Sequence, residues 1–402
     1  MIILVLNCGS SSIKYQLFNM GDRDDVIAKG LVERIGFNDA ILSHTPAGGE
    51  KYKVVTGIPD HTVGINMIFE ALTSEDHGVI KDVSEIVAVG HRVVQGGEKY
   101  KESVLITQEV IRDVEACIDL APLHNPANLK GIMSVDRLLP GIPQVAVFDT
   151  SFHQTMPEYA YMYAIPREYY DKYKIRKYGY HGTSHKFVSK RASEILGRDT
   201  RHMKLITCHL GNGASITAIE HGKSIDTSMG FTPVDGLIMG TRTGDIDPGV
   251  LLFIAEKEHL SLKGVSNMIN KNSGMVGVSE ISSDMRDLEL AYYEGNDRAS
   301  LALTMYAYRV KKFIGAYAAV MNGLDAIIFT GGVGENDFNI RRMICQNMNY
   351  LGLEFDEPAN HGVKGEDKII SKPDSRCVAA VVRTNEELVI ALDTFKILEK
   401  CV

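Results

Sequence analysis

The sequence predicts an α/β protein made of two similar domains that face a shared cleft. Three observations predict it. The chain has 402 residues, more than one hydrophobic core usually serves. An apolar strand running into a Gly- and Ser-rich turn occurs at the N-terminus and again at mid-chain, about half the chain apart. A third Gly-rich turn, near residue 330, comes after a helix and a β-branched strand, which is the order of an α/β nucleotide site.

Composition narrows the class. The chain is 45% hydrophobic and 23% charged, with a formal net charge of -8. Without a basic block, neither nucleic acid nor an anionic membrane is expected as a partner. The cysteines, Cys8, Cys117, Cys208, Cys345, Cys377 and Cys401, show no C-x-x-C and no zinc-like pairing. They read as the reduced thiols of a cytoplasmic protein. The first residues lack the basic segment of a signal peptide, and no apolar run approaches the ~20 residues of a membrane span.

MIILVLNCGSSSIKYQLF begins with an apolar strand, Ile2 to Leu6, succeeded by the polar stretch Asn7 to Ser12. A hairpin needs only about two turn residues, so this longer polar stretch, with Lys14 behind it, suits a loop around an anion. VAVGHRVVQGGE (87–98) places Arg92 among valines. Its planar fork suits a carboxylate or phosphate; the alternative is an edge-strand arginine reaching out to solvent. QVAVFDTSFHQTMP (144–157) delivers Asp149 at the carboxyl end of a buried strand, where α/β sheets hold ligands. Metal, proton or a turn cap over Ser151 are the roles open to it.

KYGYHGTSHKFVSKRASEIL (177–196) predicts a helix capped by Thr183 or Ser184, with Phe187, Val188 and Ile195 on its apolar side. His181 lies on the Gly-flanked loop before it, able to face a ligand, and His185 is expected to be a structural partner. A zinc H-E-x-x-H is absent, because glycine comes directly after His181. In LITCHLGNGASITAIEHGKSIDTS the turn Gly211 to Ser215 echoes the first loop. Neither is a Walker A or dinucleotide motif, but glycines let backbone N–H groups approach a phosphate.

MGFTPVDGLIMGTRTGDIDPG (229–249) has many turn signals and little periodicity, the mark of an active-site loop, and carries Arg242 near Asp245 and Asp247. Helical periodicity from Arg309 to Met321, with Phe313, Ile314, Tyr317 and Val320 on one side, precedes the strand and Gly-rich turn of AIIFTGGVGEN. Asn336 and Asp337 are available to cap the next segment. Finally, Thr384 and Glu387 have capping-box spacing, which leaves Glu386 for a cation. Three phosphate-compatible loops, two arginines, a histidine and strand-end acids together imply phosphoryl transfer, a reaction of positioning and charge neutralisation.

The motifs resemble the acetate kinase family, within the superfamily of acetate and sugar kinases, heat-shock chaperones and actin. NCGSSSIKYQLF, GHRVVQGGE, LAPLHNPAN, VFDTSFHQTMP, YGYHGTSHKFVSKRA, HLGNGASI, DTSMGFTPVDGLIMGTRTGDIDPG, SSDMRDL, TGGVGEN and RTNEELVIA carry the resemblance over nearly the whole length. It implies two duplicated ribonuclease-H-like (actin-like ATPase) domains flanking an active-site cleft. The first would be 1–150 with a C-terminal helix, about 387–402, packing back on it. The second, 151–386, would bind nucleotide and form a homodimer. The implied reaction is reversible, Mg-dependent, direct in-line transfer of the ATP γ-phosphoryl group to acetate, giving acetyl phosphate and ADP.

Carried over residue by residue, the resemblance assigns Asn7 and Glu386 to Mg²⁺, with Mn²⁺ as an alternative ion, and Lys14 to the nucleotide phosphates. His209, Leu210, Gly211, Asn212 and Gly213, then Asp284, Met285 and Arg286, then Gly332, Val333, Gly334, Glu335 and Asn336, fall where the family holds ATP. Arg92 matches the substrate-carboxylate arginine, and Val94, Leu123 and Pro233 match the pocket around the acetate methyl. His181 and Arg242 match the groups that stabilise the transition state, and Asp149 matches the catalytic acid. Acetate is already ionised near neutral pH, so the residues themselves assign Asp149 to orienting metal-bound water or Arg92 instead of removing a proton. The chain departs from the family pattern at Gln95 (usually His), Tyr180 (usually Phe) and Cys8 (more often Ser). Propionate or butyrate as the acid, a non-catalytic ATP-dependent clamp, and pyrophosphate in place of ATP are the competing readings.

Overall fold

A computed structural model describes residues 1–21 and 24–400; Cys401 and the end of the expected C-terminal helix lie outside them. The chain divides into two compact units, Met1–Ser151 with the stretch from Asn385 onward, and Phe152–Thr384. The crossing falls just before Asn385, whose side chain caps the last helix, Glu386–Glu399, by accepting from Leu388 N.

In the first unit the strands are β1 (Ile2–Cys8), β2 (Ser12–Asn19), β3 (Asp25–Glu33), β4 (Ala40–Pro46), β5 (Tyr52–Thr56), β6 (Ile86–Val93), β7 (Val104–Leu105) and β8 (Gln144–Phe148). They form one sheet in the order β5-β4-β3-β2-β1-β6-β8-β7. β1 to β5 are an antiparallel meander, and β6 and β8 add in parallel with β1. The second unit has β9 (Lys204–Leu210), β10 (Ala214–Glu220), β11 (Lys223–Thr227), β12 (Ala326–Thr330), β13 (Lys368–Ile369) and β14 (Val378–Val381), in the order β11-β10-β9-β12-β14-β13. Here too an antiparallel trio is joined by two parallel strands. β1, β2, β3, β6 and β8 therefore correspond to β9, β10, β11, β12 and β14, and the repeat is one of topology.

The first turn differs from the expected loop. β1 continues through Asn7 and Cys8, which pair with Lys14 and Ile13, and only Gly9 to Ser11 form the turn. Gly9 N donates to Ser12 O at 2.8 Å. Polar Asn7 is compatible with a strand because it lies next to the carboxyl end, where the backbone ladder holds it and its Oδ1 lies 3.4 Å from Arg92 Nη1 on β6. The helix expected from Arg309 begins earlier, at Asp297, and ends at Val320, which is 60% exposed and does not join the buried side.

One face of the first sheet is covered by the Glu386–Glu399 helix. Ile390 and Ala391 pack with Ile3, Val5, Phe18, Val145 and Val147 in one apolar cluster. Gly90 on β6 permits this approach: a Cβ there would lie 2.5 Å from Thr394 Oγ1 and 2.6 Å from Ile390 Cγ2. Gly90→Val is expected to destabilise the protein by about 3 kcal/mol through overpacking, measured by urea unfolding, and to disturb Glu386 at the start of that helix.

His91, next in β6, is buried and its Nε2 lies 2.7 Å from Gln144 Oε1 on β8. Burial pushes its pKa down to about 4, against the opposing effect of that hydrogen bond. Folding thus favours the neutral ring. Its contribution is complete above the ordinary histidine value and is lost as pH falls toward about 4. The stability difference between the protein and a His91→Leu variant should shrink by about 3 kcal/mol from pH 7 to pH 4, read from denaturant midpoints at each pH.

Candidate active site

The first unit gathers its charged groups at the carboxyl ends of β1, β6 and β8 and the start of the last helix. Arg92, near the end of β6, meets Asp149, which directly succeeds β8. Nε lies 3.1 Å from both carboxylate oxygens, and Nη2 lies 2.6 Å from Oδ2. The aspartate side chain is 1% exposed and the arginine 22%. Arg92 Nη1 is also 3.4 Å from Asn7 Oδ1. Burial works against the guanidinium's charge, but Asp149 and Glu386 outweigh it and hold the pKa above its usual value. Ser151, a suggested partner of Asp149, donates instead to Phe148 O.

Lys14 and Glu387 form an ion pair, so the cap expected from Glu387 belongs to Asn385 and the glutamate holds the lysine. Glu386 is half-buried, and no donor hydrogen-bonds its carboxylate among the described residues. Burial, with Asp149 and Glu387 nearby, raises its pKa to about 7, against the pull of Arg92 and Lys14. Three carboxylates thus share two cations here, and Glu386 is the one left without a donor.

Val94 is buried, and its N–H donates to Asn128 Oδ1 at 3.1 Å, while Leu123 is 65% exposed. Asn128 also donates to Cys8 O. Cys8 itself packs against Gly131, whose Cβ would lie 2.5 Å from the thiol. Burial lifts that thiol to about 12, so this cysteine is a packing residue. Gln95 is buried and accepts from Gly97 N, shaping the turn.

In the second unit, the turn Gly211–Gly213 comes after β9, and a short helix, Gly331–Asn336, after β12. A Cβ on Gly211 would be 3.9 Å from Gly332 N, so the two Gly-rich turns lie side by side, and Gly332 has open space before its Cα. Glu335 turns inward: its Oε1 accepts from Gly331 N, Thr330 Oγ1 and Thr384 N. It braces the turn, and Asn336 donates to Gly332 O. Asp337 caps the next helix, accepting from Ile340 N. Arg341, fully buried, donates to Gly334 O, Val363 O and Asn360 Oδ1; sequence reasoning missed it, because a buried arginine with only carbonyl-type acceptors leaves no charge pattern. Asp284 caps the Met285–Tyr293 helix and pairs with Arg286, which lowers the carboxyl to about 2.

Arg242 is half-buried on the irregular stretch before the Pro248–Lys257 helix. Its Nη1 lies 3.2 Å from Pro233 O and 3.7 Å from Met239 Sδ, and no carboxylate pairs with it among the described residues. Burial lowers its pKa. The loop is tied to the Gly211–Gly213 turn, since Gly240 N donates to Asn212 O at 3.0 Å. Tyr180 is buried and its hydroxyl donates to Phe231 O at 2.8 Å, so the group absent from phenylalanine anchors this same loop.

His181 precedes the Gly182–Leu196 helix with φ of 56°, a left-handed conformation. It takes the N-cap position without a side-chain cap bond, so neither Thr183 nor Ser184 is the cap. A Cβ on Gly213 would lie 3.6 Å from both Arg242 Nη1 and His181 Cε1. The Gly211–Gly213 turn, the arginine and the histidine therefore converge on one point of the second unit.

The pattern of the acetokinase family matches residues 2–392. The chain belongs to the acetokinase family. The curated acetate kinase of Desulfitobacterium hafniense is 57% identical over 400 residues, covering all of both chains. The crystal structure of the Porphyromonas gingivalis acetate kinase superposes with a TM-score of 0.95 at 54% identity, covering 99% of each chain. A propionate kinase from Francisella tularensis gives 0.91 at 43% identity, covering 98% of this chain and 99% of that one. The acetokinase fold, with two actin-like ATPase domains, is the fold of this chain, and the repeated strand order is its topological signature.

Proposed function

We propose that the chain performs the acetate kinase reaction with its labour divided among three groups of residues: those that hold the acid, those that meet the transferring phosphoryl group, and those that hold ATP. As an enzyme of the acetokinase family it transfers the γ-phosphoryl group of ATP reversibly to the acetate carboxylate, giving acetyl phosphate and ADP. A carboxylate oxygen forms the new bond to phosphorus as the bond to the ADP oxygen breaks. Acetate needs no deprotonation, so holding two anions together is the barrier.

Arg92 holds the acetate carboxylate, and Asp149 keeps its fork flat and aimed. The bidentate Arg92–Asp149 contact is the observation that carries this reading, because it fixes the orientation of the guanidinium and leaves its Nη1 side, where Asn7 Oδ1 lies 3.4 Å away, facing a second acceptor. Val94, Leu123 and Pro233 receive the methyl group. Arg242 and His181 neutralise the equatorial oxygens of the transferring group. That Arg242 has no carboxylate partner among the described residues supports this, since a half-buried guanidinium without a counter-ion is ready for an anion. The turns Gly211–Gly213 and Gly332–Gly334, with His209, Leu210 and Asp284 to Arg286, hold ATP, and Glu335 and Asn336 brace the second turn from within.

The donor set fits Mg²⁺. This ion is usually held by one or two protein oxygens plus substrate phosphates, and no denser cluster of metal-binding side chains occurs among the described residues. Glu386, with no hydrogen-bond donor among the described residues and a raised pKa, and Asn7 Oδ1 would hold it, with Lys14 on the phosphates. When bound, the ion neutralises the phosphate charge. Mn²⁺ satisfies the same oxygen donors.

A homodimer belongs to this reading. Leu252, Phe253 and Leu262 are 73%, 61% and 92% exposed, a grouping of large apolar side chains on two neighbouring helices that suits an interface. No helix among the described residues is long and apolar enough to cross a membrane, and the five described cysteines are unpaired, which suits the cytoplasm.

Trapping acyl phosphate with hydroxylamine, in parallel with acetate, propionate and butyrate, tests the proposal. Acetate-dependent hydroxamate is expected. Preference for a longer acid would move the reading toward the propionate kinase relative, and ATP hydrolysis with no hydroxamate would sink it.

A further inference from the structure

Behind His181 lies a chain of groups to which the phosphoryl transfer itself assigns no role. His181 Nδ1 is 2.9 Å from Ser215 Oγ, and the same oxygen is 2.8 Å from His185 Nε2. His185 Nδ1 is in turn 2.7 Å from Thr207 Oγ1. Ser215, His185 and Thr207 are all fully buried. A second chain runs beside the first: Thr384 Oγ1 donates to Ser184 Oγ at 2.8 Å, and Ser184 Oγ is 2.8 Å from His209 Nδ1. The rings of His181 and His209 are stacked, with centroids 4.3 Å apart.

In both chains a serine hydroxyl faces Nδ1 of a stacked histidine. Because Ser184 accepts from Thr384, its own proton is left for His209 Nδ1, and the proton of neutral His209 then sits on Nε2. Ser215 has one proton to share between two imidazoles. If His185 donates from Nε2 and accepts from Thr207 at Nδ1, Ser215 accepts from His185 and its own proton is available to His181 Nδ1. His181 then carries its proton on Nε2, the atom that lies 3.7 Å from a Cβ built on Gly213.

Charge favours this direction. His185 on its own helix, His209 on β9 and Arg242 on the loop all face His181. Of the three, Arg242 carries the positive charge, and a cation facing the ring disfavours a second proton on it. His185 is held neutral by burial and by His153 and His209 nearby.

We propose that Ser215 and the buried His185 are positioning residues that fix His181 as the neutral Nε2–H tautomer, so that it presents one N–H donor to the transferring phosphoryl group. A ring fixed this way donates without adding a proton whose loss would change the site between turnovers. The neighbouring Thr384–Ser184–His209 chain does the same for His209. The proposal rests on the reading of His181 as a phosphoryl-stabilising group, but the tautomer is a property of the resting protein and is measured without turnover.

The experiment is nitrogen NMR of ¹⁵N-histidine-labelled protein at about pH 7, with the His181 signals assigned by their loss in a His181→Asn variant. His181 is expected to show a protonated Nε2 and an unprotonated Nδ1. In Ser215→Ala the two nitrogen signals should move toward exchange-averaged values, and kcat should fall roughly ten-fold with KM for ATP and acetate nearly unchanged. Ser215→Thr, which keeps the hydroxyl, should restore both. A doubly protonated ring or an Nδ1–H tautomer in the unmodified protein would overturn the proposal. So would a Ser215→Ala protein that loses activity with its His181 signals unmoved, since that loss would be structural. The expected signals with an unchanged kcat would leave the relay standing and overturn the catalytic role of His181 instead.

Discussion

Replacing Arg92 with alanine lowers kcat/KM for acetate by about a thousand-fold, or roughly 4 kcal/mol, and destabilises the protein by about 3 kcal/mol. Both effects come from one contact. The guanidinium sits on a carboxylate that is 1% exposed, and removing it leaves Asp149 buried with its charge uncompensated. It also removes the planar fork that receives acetate. Arg92→Lys restores a positive charge and part of the stability but little of the activity, because an ammonium cannot meet two carboxylates in one plane. Steady-state kinetics at varied acetate, with urea unfolding of the same preparations, checks both parts. An alanine variant with normal KM and kcat would remove Arg92 from the substrate site.

Replacing Arg242 with alanine has a different signature. The kcat falls on the order of a thousand-fold, the effect typical of an arginine that meets charge developing on a transferring phosphoryl group, with modest change in either KM. Stability changes by about 1 kcal/mol or less, since no buried carboxylate is left behind and the lost bonds run to Pro233 O and Met239 Sδ. The pair of experiments separates the two arginines physically. Arg92 is bound into an ion pair and, as proposed, acts on the ground-state acid as well as the transition state, whereas Arg242 has no counter-ion among the described residues. Equal stability losses in the two variants would contradict that distinction.

Much of this was legible in the sequence. The strand ends that carry Arg92 and Asp149, and the Gly-rich turns after β9 and β12, come from apolar runs that stop at polar residues or glycine, and the half-length echo predicted two similar domains. Errors arose where a local signal was outweighed by long-range pairing. Asn7 looks like a loop residue, yet the β1–β2 ladder extends over it. Glu387 has the spacing of a cap, yet Asn385 caps the helix and Glu387 meets Lys14 across the sheet. Glu335, which the resemblance assigns to the nucleotide site, gathers three donors around its own turn with its carboxylate, a bracing role its position in the sequence does not signal. Ser215, His185 and Arg341 were invisible as functional groups, because serine and histidine within apolar strands and helices carry no periodic signal, and only the fold brings His181, Ser215 and His185 into one line.

Direct transfer between ATP and acetate requires no nucleophile supplied by the protein. It is tested most directly by the stereochemistry at phosphorus, using ATP made chiral at the γ-phosphoryl group with oxygen isotopes and determining the configuration of the acetyl phosphate formed. A single in-line displacement predicts inversion. Retention would mean two displacements through a phosphorylated side chain, and would make a nucleophile of Asp149, Glu386 or His181.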